Sequence, residues 1–308
     1  MISKSVVVTG GAGFIGSNLA EELAKEHHVK VIDDLSTGHI ENLDQIRGVE
    51  FVRGSITDLD LLKEVFSDVD YVYHQAALPS VPRSIEDPIS SNRVNIDGTL
   101  NVLVAARDCG VKKVVYASSS SVYGDTPTLP KREDMTPNPK SPYAATKLAG
   151  EYYCQIFSEI YGLKTASLRY FNVFGPRQDP KSQYAAVIPL FIARILKGKP
   201  PTIFGDGTQT RDFTFVKDVV QANIRAMESD NVGVFNVACG RQIVLNDLAD
   251  EIMKITGIKT EKVYKPPRAG DIKDSLADIS RAREMLGYEP KFDLNSGLVE
   301  TIRWFQKN

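Results

Sequence analysis

The sequence is short of several things. Its 308 residues hold three cysteines, Cys109, Cys154 and Cys239, an odd number and widely spaced. They form no C-x-x-C pair, which speaks against a disulfide framework and a zinc site and predicts a reduced, cytoplasmic protein. Neither sign of charge dominates: 37 basic and 39 acidic residues, a net of -2, leave no electrostatic footprint for nucleic acid or an anionic membrane. No apolar run is long enough to span a bilayer, and the opening MISKSVVVTGG runs straight into a strand pattern without a signal-peptide core. Internal repeats and low-complexity tracts are also missing. What is there, 42% hydrophobic and 25% charged residues, suits one large core or two smaller ones.

Short apolar runs alternate with helix-length amphipathic segments: SVVVTG, SNLAEELAKE and VKVIDD, later VDYVYHQAA, TLNVLVAARDCG and VKKVVYASS. Strands bounded by Gly or Asp and interleaved with helices predict βαβ units, hence an α/β fold with a Rossmann-type, doubly wound parallel sheet. The pattern holds to LKTASLRYF and loosens after NVFGPRQDP. The expected division is a dinucleotide-binding domain over residues 1–171, with a returning segment about 217–240 that includes the strand VFNVACG. A smaller α/β substrate domain takes residues 172–216 and 241–308.

VVVTGGAGFIGSNLAEELA places Gly10, Gly13 and Gly16 at the first strand-to-helix turn. Small residues there let the backbone approach a pyrophosphate whose charge sits at the helix N-terminus. The next strand ends at Asp33, twenty residues after Gly13. A carboxylate in that place accepts from an adenosine ribose and repels a 2′-phosphate, which favours NAD over NADP. Asp34 reads as its solvated neighbour.

SPYAATK puts Tyr143 and Lys147 four residues apart, on one face of a helix. A phenol titrates near ~10 and is a poor base at neutral pH. A nearby ammonium and an oxidised nicotinamide both favour phenolate, so the pair makes sense as a general base beside a hydride acceptor. Before it, the strand pattern VKKVVYA runs into four serines, Ser118 to Ser121. His74, in HQAA at a strand end, reads as structural.

In this order and spacing, TGGAGFIG, HQAA, NIDGTLNVL, ASSSSVYGD, SPYAATK and LRYFNVFGP resemble the extended short-chain dehydrogenase/reductase family, and within it the nucleotide-sugar 4-epimerases. The likeness covers essentially the whole chain. It implies that Ser119 is the catalytic hydroxyl at the sugar 4-oxygen, Tyr143 the base, and Lys147 the residue that lowers the tyrosine pKa and contacts the nicotinamide ribose. It implies NAD contacts from Gly10, Gly13, Phe14, Ile15, Gly16, Asp33, Ser55, Ile56, Gln75, Ala76, Ala77 and Tyr170, with Asn95 ordering this region and Phe171 beside the nicotinamide. Two departures bear on cofactor affinity: Ser55 stands where the family often has Asp, and Pro79 where some hexose epimerases have Lys.

The serines narrow the chemistry. Related dehydratases and decarboxylases carry carboxyl groups just after the catalytic hydroxyl, where this chain has Ser120 and Ser121. Neither hydroxyl is a competent general acid or base near neutral pH. Oxidation at C4 is then followed by hydride return on the other face, with NAD regenerated each turnover.

For the substrate, the resemblance implies Arg211 and Arg268 on the diphosphate, where a guanidinium fork suits adjacent phosphates. Asp271 takes a ribose, Asn172 the diphosphate and sugar, Thr202 and Phe204 the uracil. Val187, Ser119, Ser120, Ser121 and Tyr143 complete the UDP-sugar site. Ser275 falls where epimerases restricted to plain hexoses carry a tyrosine, so the pocket has room for an acetamido group without excluding the smaller sugar. QAALPSVPRS and RQDPKSQYAAVIP resemble the UDP-N-acetylglucosamine 4-epimerase branch. The alternatives are a strict UDP-glucose 4-epimerase, a UDP-glucuronate 4-epimerase, disfavoured by Asn172 and Asp179 where Thr and Arg are usual, and a non-catalytic nicotinamide sensor. Relatives also pair the helices around 95–109 and 143–161 across a two-fold axis, which implies a homodimer. No metal is implied.

Overall fold

Valine-rich runs such as SVVVT become the strands of a seven-stranded parallel sheet. The computed structural model describes residues 3–180, 185–267 and 272–307. Strands Ser5–Thr9 (β1), His28–Asp33 (β2), Val49–Arg53 (β3), Tyr71–His74 (β4), Lys113–Ser119 (β5) and Lys164–Tyr170 (β6) come first. Val173–Phe174 (β7), Thr202–Phe204 (β8), Thr210–Arg211 (β9), Thr214–Phe215 (β10), Gly233–Val237 (β11), Ile243–Val244 (β12) and Val263–Lys265 (β13) follow. The large sheet has the order β11-β6-β5-β4-β1-β2-β3, so the winding reverses between β1 and β4. A crevice opens at the carboxyl ends of strands at such a switch point.

The helices are Phe14–Leu23 (α1), Leu59–Val65 (α2), Val81–Glu86 (α3), Pro88–Asn92 (α4), Gly98–Asp108 (α5), Pro142–Tyr161 (α6), Val187–Ile195 (α7), Val216–Glu228 (α8), Leu245–Thr256 (α9), Ser280–Leu286 (α10) and Leu294–Lys307 (α11). Alternation along β1 explains the unbroken valines. Val6 and Val8 pack into the core that holds Leu19 of α1 and Val219 of α8, while Val7 enters the core that holds Leu62, Val102 and Phe157. A third core, with Phe174, Phe191, Ile203, Leu248 and Leu298, lies under α7, α9 and α11.

Helix α6, which carries Tyr143 and Lys147, has explicit start and stop signals. Ser141 accepts the Ala144 N–H, Pro142 opens the first turn, and Gly162 closes the helix at φ 71°. Strand β11, the VFNVACG segment, lies parallel to β6 at the sheet edge. The two-residue strands β7, β9, β10 and β12 pair with one another in small sheets that no sequence periodicity announces. Among the described residues no helix is long and apolar enough to cross a membrane.

Candidate active site

The first turn closes tightly at the switch point. Gly10 has φ +68°, and a Cβ there would lie 2.6 Å from Ala76 Cα; a Cβ at Gly16 would lie 2.2 Å from Gly10 O. At Gly13 no side chain caps α1, so first-turn N–H groups at Phe14, Ile15 and Gly16 remain for an anionic group. Asp33 is buried and accepts the N–H groups of Ala12 (3.0 Å) and Leu35 (2.8 Å). Burial raises its pKa against those bonds. With one peptide N–H on each oxygen, the carboxylate keeps lone pairs for ribose hydroxyls. This end of the crevice fits a dinucleotide.

The other expected cofactor residues line up along it. Gln75 donates to Asn223 (3.0 Å) and accepts from Tyr170 Oη (3.1 Å), and Ala76 N–H bonds Thr9 Oγ1 at 3.2 Å, with Ala77 next in the chain. Ser55 is turned into a local contact with Thr57 (3.0 Å), and the buried Ile56 packs on Gly98. Asn95 sits in a π-helical turn, Arg93–Asp97, and clasps the backbone of Leu78 from both sides (2.8 and 3.1 Å) while donating to Thr146 at 3.1 Å. Such turns often accompany functional sites. His74 bridges Thr9 (2.8 Å) and Thr99 (2.9 Å), and burial lowers its pKa to about 3: it is a structural residue. Phe171 is buried in the core against Tyr123, their rings 6.1 Å apart.

Strand β5 brings Ser119 close enough to Tyr143 for its hydroxyl to favour the phenolate. Ser119 Oγ also accepts from Ser121 N (3.1 Å) and Ser121 Oγ (2.9 Å) at the start of a short 3-10 turn that includes Ser120. Lys147 is buried, its Nζ donating to Ala117 O at 2.8 Å and lying 6.0 Å from the Tyr143 ring. Burial lowers the Lys147 pKa to about 8. Burial raises the Tyr143 pKa, opposed by Ser119, and one donor of the Lys147 ammonium goes to a backbone carbonyl.

Beyond the sheet, a cavity of about 250 Å³ is lined by Asn172, Val187, Thr202, Phe204, Gln209 and Arg211, among others. Five of these six are residues the sequence marks for the substrate. Asn172 takes φ 36° and donates to Asp212 O at 3.0 Å; Arg211 donates to Thr210 O (2.8 Å) and Lys273 O (3.2 Å). Ser275 is half-buried outside the cavity lining. Arg268 and Asp271 lie outside the described residues.

Sequence reasoning missed several residues that hold this arrangement. Glu151 sits eight residues after Tyr143, continuing the helical face through Lys147, and accepts hydrogen bonds from Ser118 and Arg169. Arg169 is a lone charge in the apolar run TASLRYF, and Asn223 a lone amide on the buried face of VVQANIRAM. Those interruptions of an apolar pattern were the available signal.

A family model described as the NAD dependent epimerase/dehydratase family matches residues 6–238. The chain belongs to that family. It is 43% identical over 309 residues to the UDP-glucose 4-epimerase of Mycolicibacterium smegmatis, covering 97% of this chain and 98% of that protein. Among solved structures it resembles a UDP-N-acetylglucosamine 4-epimerase from Methanobrevibacter ruminantium in complex with UDP-N-acetylmuramic acid (TM-score 0.97, 45% identity, 100% of this chain and 99% of that one). It also resembles the UDP-glucose 4-epimerase of Thermus thermophilus in complex with NAD (TM-score 0.89, 38% identity, 98% and 99% covered). The enzyme is NAD-dependent, as its family is.

Proposed function

We propose that this NAD-dependent UDP-sugar 4-epimerase interconverts UDP-N-acetylglucosamine with UDP-N-acetylgalactosamine, and UDP-glucose with UDP-galactose as well. The observation that carries the reading is Ser119 set against Tyr143, where it favours the phenolate, in a serine run without a free acid. Bound NAD supplies a hydride acceptor and then a donor at C4. Tyr143 takes the proton of the 4-hydroxyl and returns it, and Ser119 holds the 4-oxygen in line with the phenol. Lys147, protonated below about pH 8, provides positive charge beside the cofactor site. Elimination or decarboxylation would need a carboxyl group after Ser119. Ser120 and Ser121 stand there, and Glu151, which touches Ser118, is engaged by Arg169.

Residues 1–171 with the return through β11 are assigned to the cofactor, and the later segments to the UDP-sugar, with Arg211 and Asn172 on the diphosphate and Thr202, Phe204 and Val187 around the base. Ser275 in place of a ring favours acceptance of the acetamido group. Against a uronate substrate, Asp179 would repel a carboxylate, and it faces His39 at 3.6 Å. A homodimer is supported by Tyr152, Ile156 and Ile160, exposed at four-residue spacing on α6, and by Ile85 and Ile89, exposed on α3 and α4, which pack against α6. Helix α5, expected to share that surface, turns Val102, Leu103, Ala105 and Ala106 into the core and leaves Asn101, Val104 and Arg107 half-buried on its other side. Cytoplasmic placement rests on the three free thiols.

The test is to incubate purified protein, without added NAD, with UDP-N-acetylglucosamine and separately with UDP-glucose, and to resolve the products chromatographically. Conversion of both to their C4 epimers is expected. Conversion of UDP-glucose alone keeps the mechanism and overturns the argument from Ser275. No reaction with either, NAD supplied or not, overturns the UDP assignment.

A further inference from the structure

Asp212 follows Arg211 at the end of β9 and is wholly buried. Its carboxylate binds peptide groups from two other segments. Oδ1 accepts the Cys239 N–H at 3.0 Å, and Oδ2 accepts the Gly240 N–H at 3.0 Å and the Ala277 N–H at 3.1 Å. Its own carbonyl accepts Asn172 Nδ2 at 3.0 Å. Three of the places so gathered carry the side chains assigned above to the substrate: Asn172, Arg211, and Ser275 two residues before Ala277. The same strand grips the other flank of Ser275, where Thr210 N–H donates to Lys273 O (3.0 Å) and Thr210 Oγ1 to Asp274 (2.8 Å).

The residue type matters. A carboxylate offers two acceptor oxygens, whereas the isosteric amide offers one and presents an NH₂ group to a peptide N–H. Burial lifts the Asp212 pKa to about 6, opposed by the peptide N–H groups, so at neutral pH the site holds an anion stabilised by backbone donors. A buried charge costs folding energy unless well bonded. Here the bonds run to segments that are distant in sequence and gather beside Arg211 and Asn172 of the cavity lining.

We propose that Asp212 is the positioning residue of the nucleotide-sugar site, gathering the peptide N–H groups of Cys239, Gly240 and Ala277 so that Arg211, Asn172 and Ser275 face one substrate. It rests on the reading of those three residues as substrate contacts. The hydrogen-bond partners of Asp212, namely Cys239, Gly240, Ala277 and Asn172, are assigned neither to proton transfer nor to the cofactor, so its loss separates binding from chemistry. It also sets the segment that bears Ser275, so its loss changes the choice between acetylated and plain sugars.

The experiment compares NAD-loaded wild type, Asp212→Asn and Arg211→Ala by steady-state kinetics on UDP-N-acetylglucosamine and UDP-glucose, with bound NAD per chain measured after acid release. For Asp212→Asn, KM is expected to rise at least about tenfold with kcat within about threefold and bound NAD unchanged. The ratio of kcat/KM for the two sugars is expected to shift by at least about threefold. Unchanged KM with a weakened Arg211→Ala overturns the proposal alone. An Arg211→Ala enzyme with unchanged KM removes the substrate reading and the proposal with it. A joint loss of kcat, substrate affinity and bound NAD in Asp212→Asn marks general structural damage and also overturns it. If Asp212→Asn does not fold, lactic acid incorporated at position 277 deletes one peptide donor and leaves the carboxylate. A KM raised about threefold or more then supports the proposal, and a wild-type KM overturns it.

Discussion

Glu151 and Arg169 form a two-pronged ion pair with each side chain 3% exposed, Nε to Oε1 at 2.9 Å and Nη2 to Oε2 at 2.7 Å. Because Ser118 Oγ also donates to that carboxylate, the helix bearing Tyr143 is fastened to the strand end bearing Ser119. Removing one partner strands a buried charge. Glu151→Ala or Arg169→Ala is expected to lower unfolding free energy by about 3–5 kcal/mol, measured by urea denaturation. The double replacement Glu151→Leu with Arg169→Met should cost much less; equal losses for single and double variants would refute the pairing argument.

Tyr143→Phe removes the proton-handling group and little volume. Turnover should fall by about 10²–10⁴-fold, while bound NAD and UDP-sugar affinity persist. Turnover close to wild type would remove Tyr143 from the mechanism and reopen the sensor reading.

His74 is neutral and buried, with its pKa lowered to about 3. Between pH 6.5 and 3 the unfolded chain takes up a proton that the folded one refuses, so stability is lost as pH falls through that window. His74→Gln should therefore show a flatter acid limb, the difference from wild type changing by about 2 kcal/mol from roughly pH 7 to pH 5. Asp212 works in the opposite direction between its ordinary carboxylate value and about 6, since the folded state protonates first. Denaturation of both proteins at the two pH values isolates the histidine; parallel curves would show that it is not titrating as argued.

The β5–α6 pair was legible almost in full from YASSSSVYGD and SPYAATK, because a strand run, a cap and a four-residue helical spacing are local signals. Asp212 was not. Its partners lie at 239, 240 and 277, and hydrogen bonds to backbone leave no mark on the partner residues' identities. For the same reason the small sheets pairing β9 with β12 and β7 with β10 escaped notice, being too short for periodicity. The apolar stripe on α6 could be read only once the sheet had claimed the other faces.

Ser275→Tyr should close the pocket to the acetamido group. A loss of at least about tenfold in kcat/KM on UDP-N-acetylglucosamine is expected, with UDP-glucose within about threefold. Equal effects on both sugars would separate Ser275 from specificity.

Ile89→Asp together with Ile160→Asp should shift the protein from dimer to monomer in sedimentation velocity, since these residues are 79% and 69% exposed. A dimer that survives both changes uses another surface.

Edge strand β11 is made long after its neighbour β6. On the ribosome, every strand from β1 to β6 is complete while β6 still presents an unpaired edge whose Thr165 to Tyr170 are destined for burial. At about 5–20 residues per second the closing strand arrives on the order of several seconds later. Through that interval the nascent chain carries an open sheet edge, the kind of surface that recruits chaperones or other nascent chains. The order of synthesis thus leaves the sheet to be closed by its last-made strand.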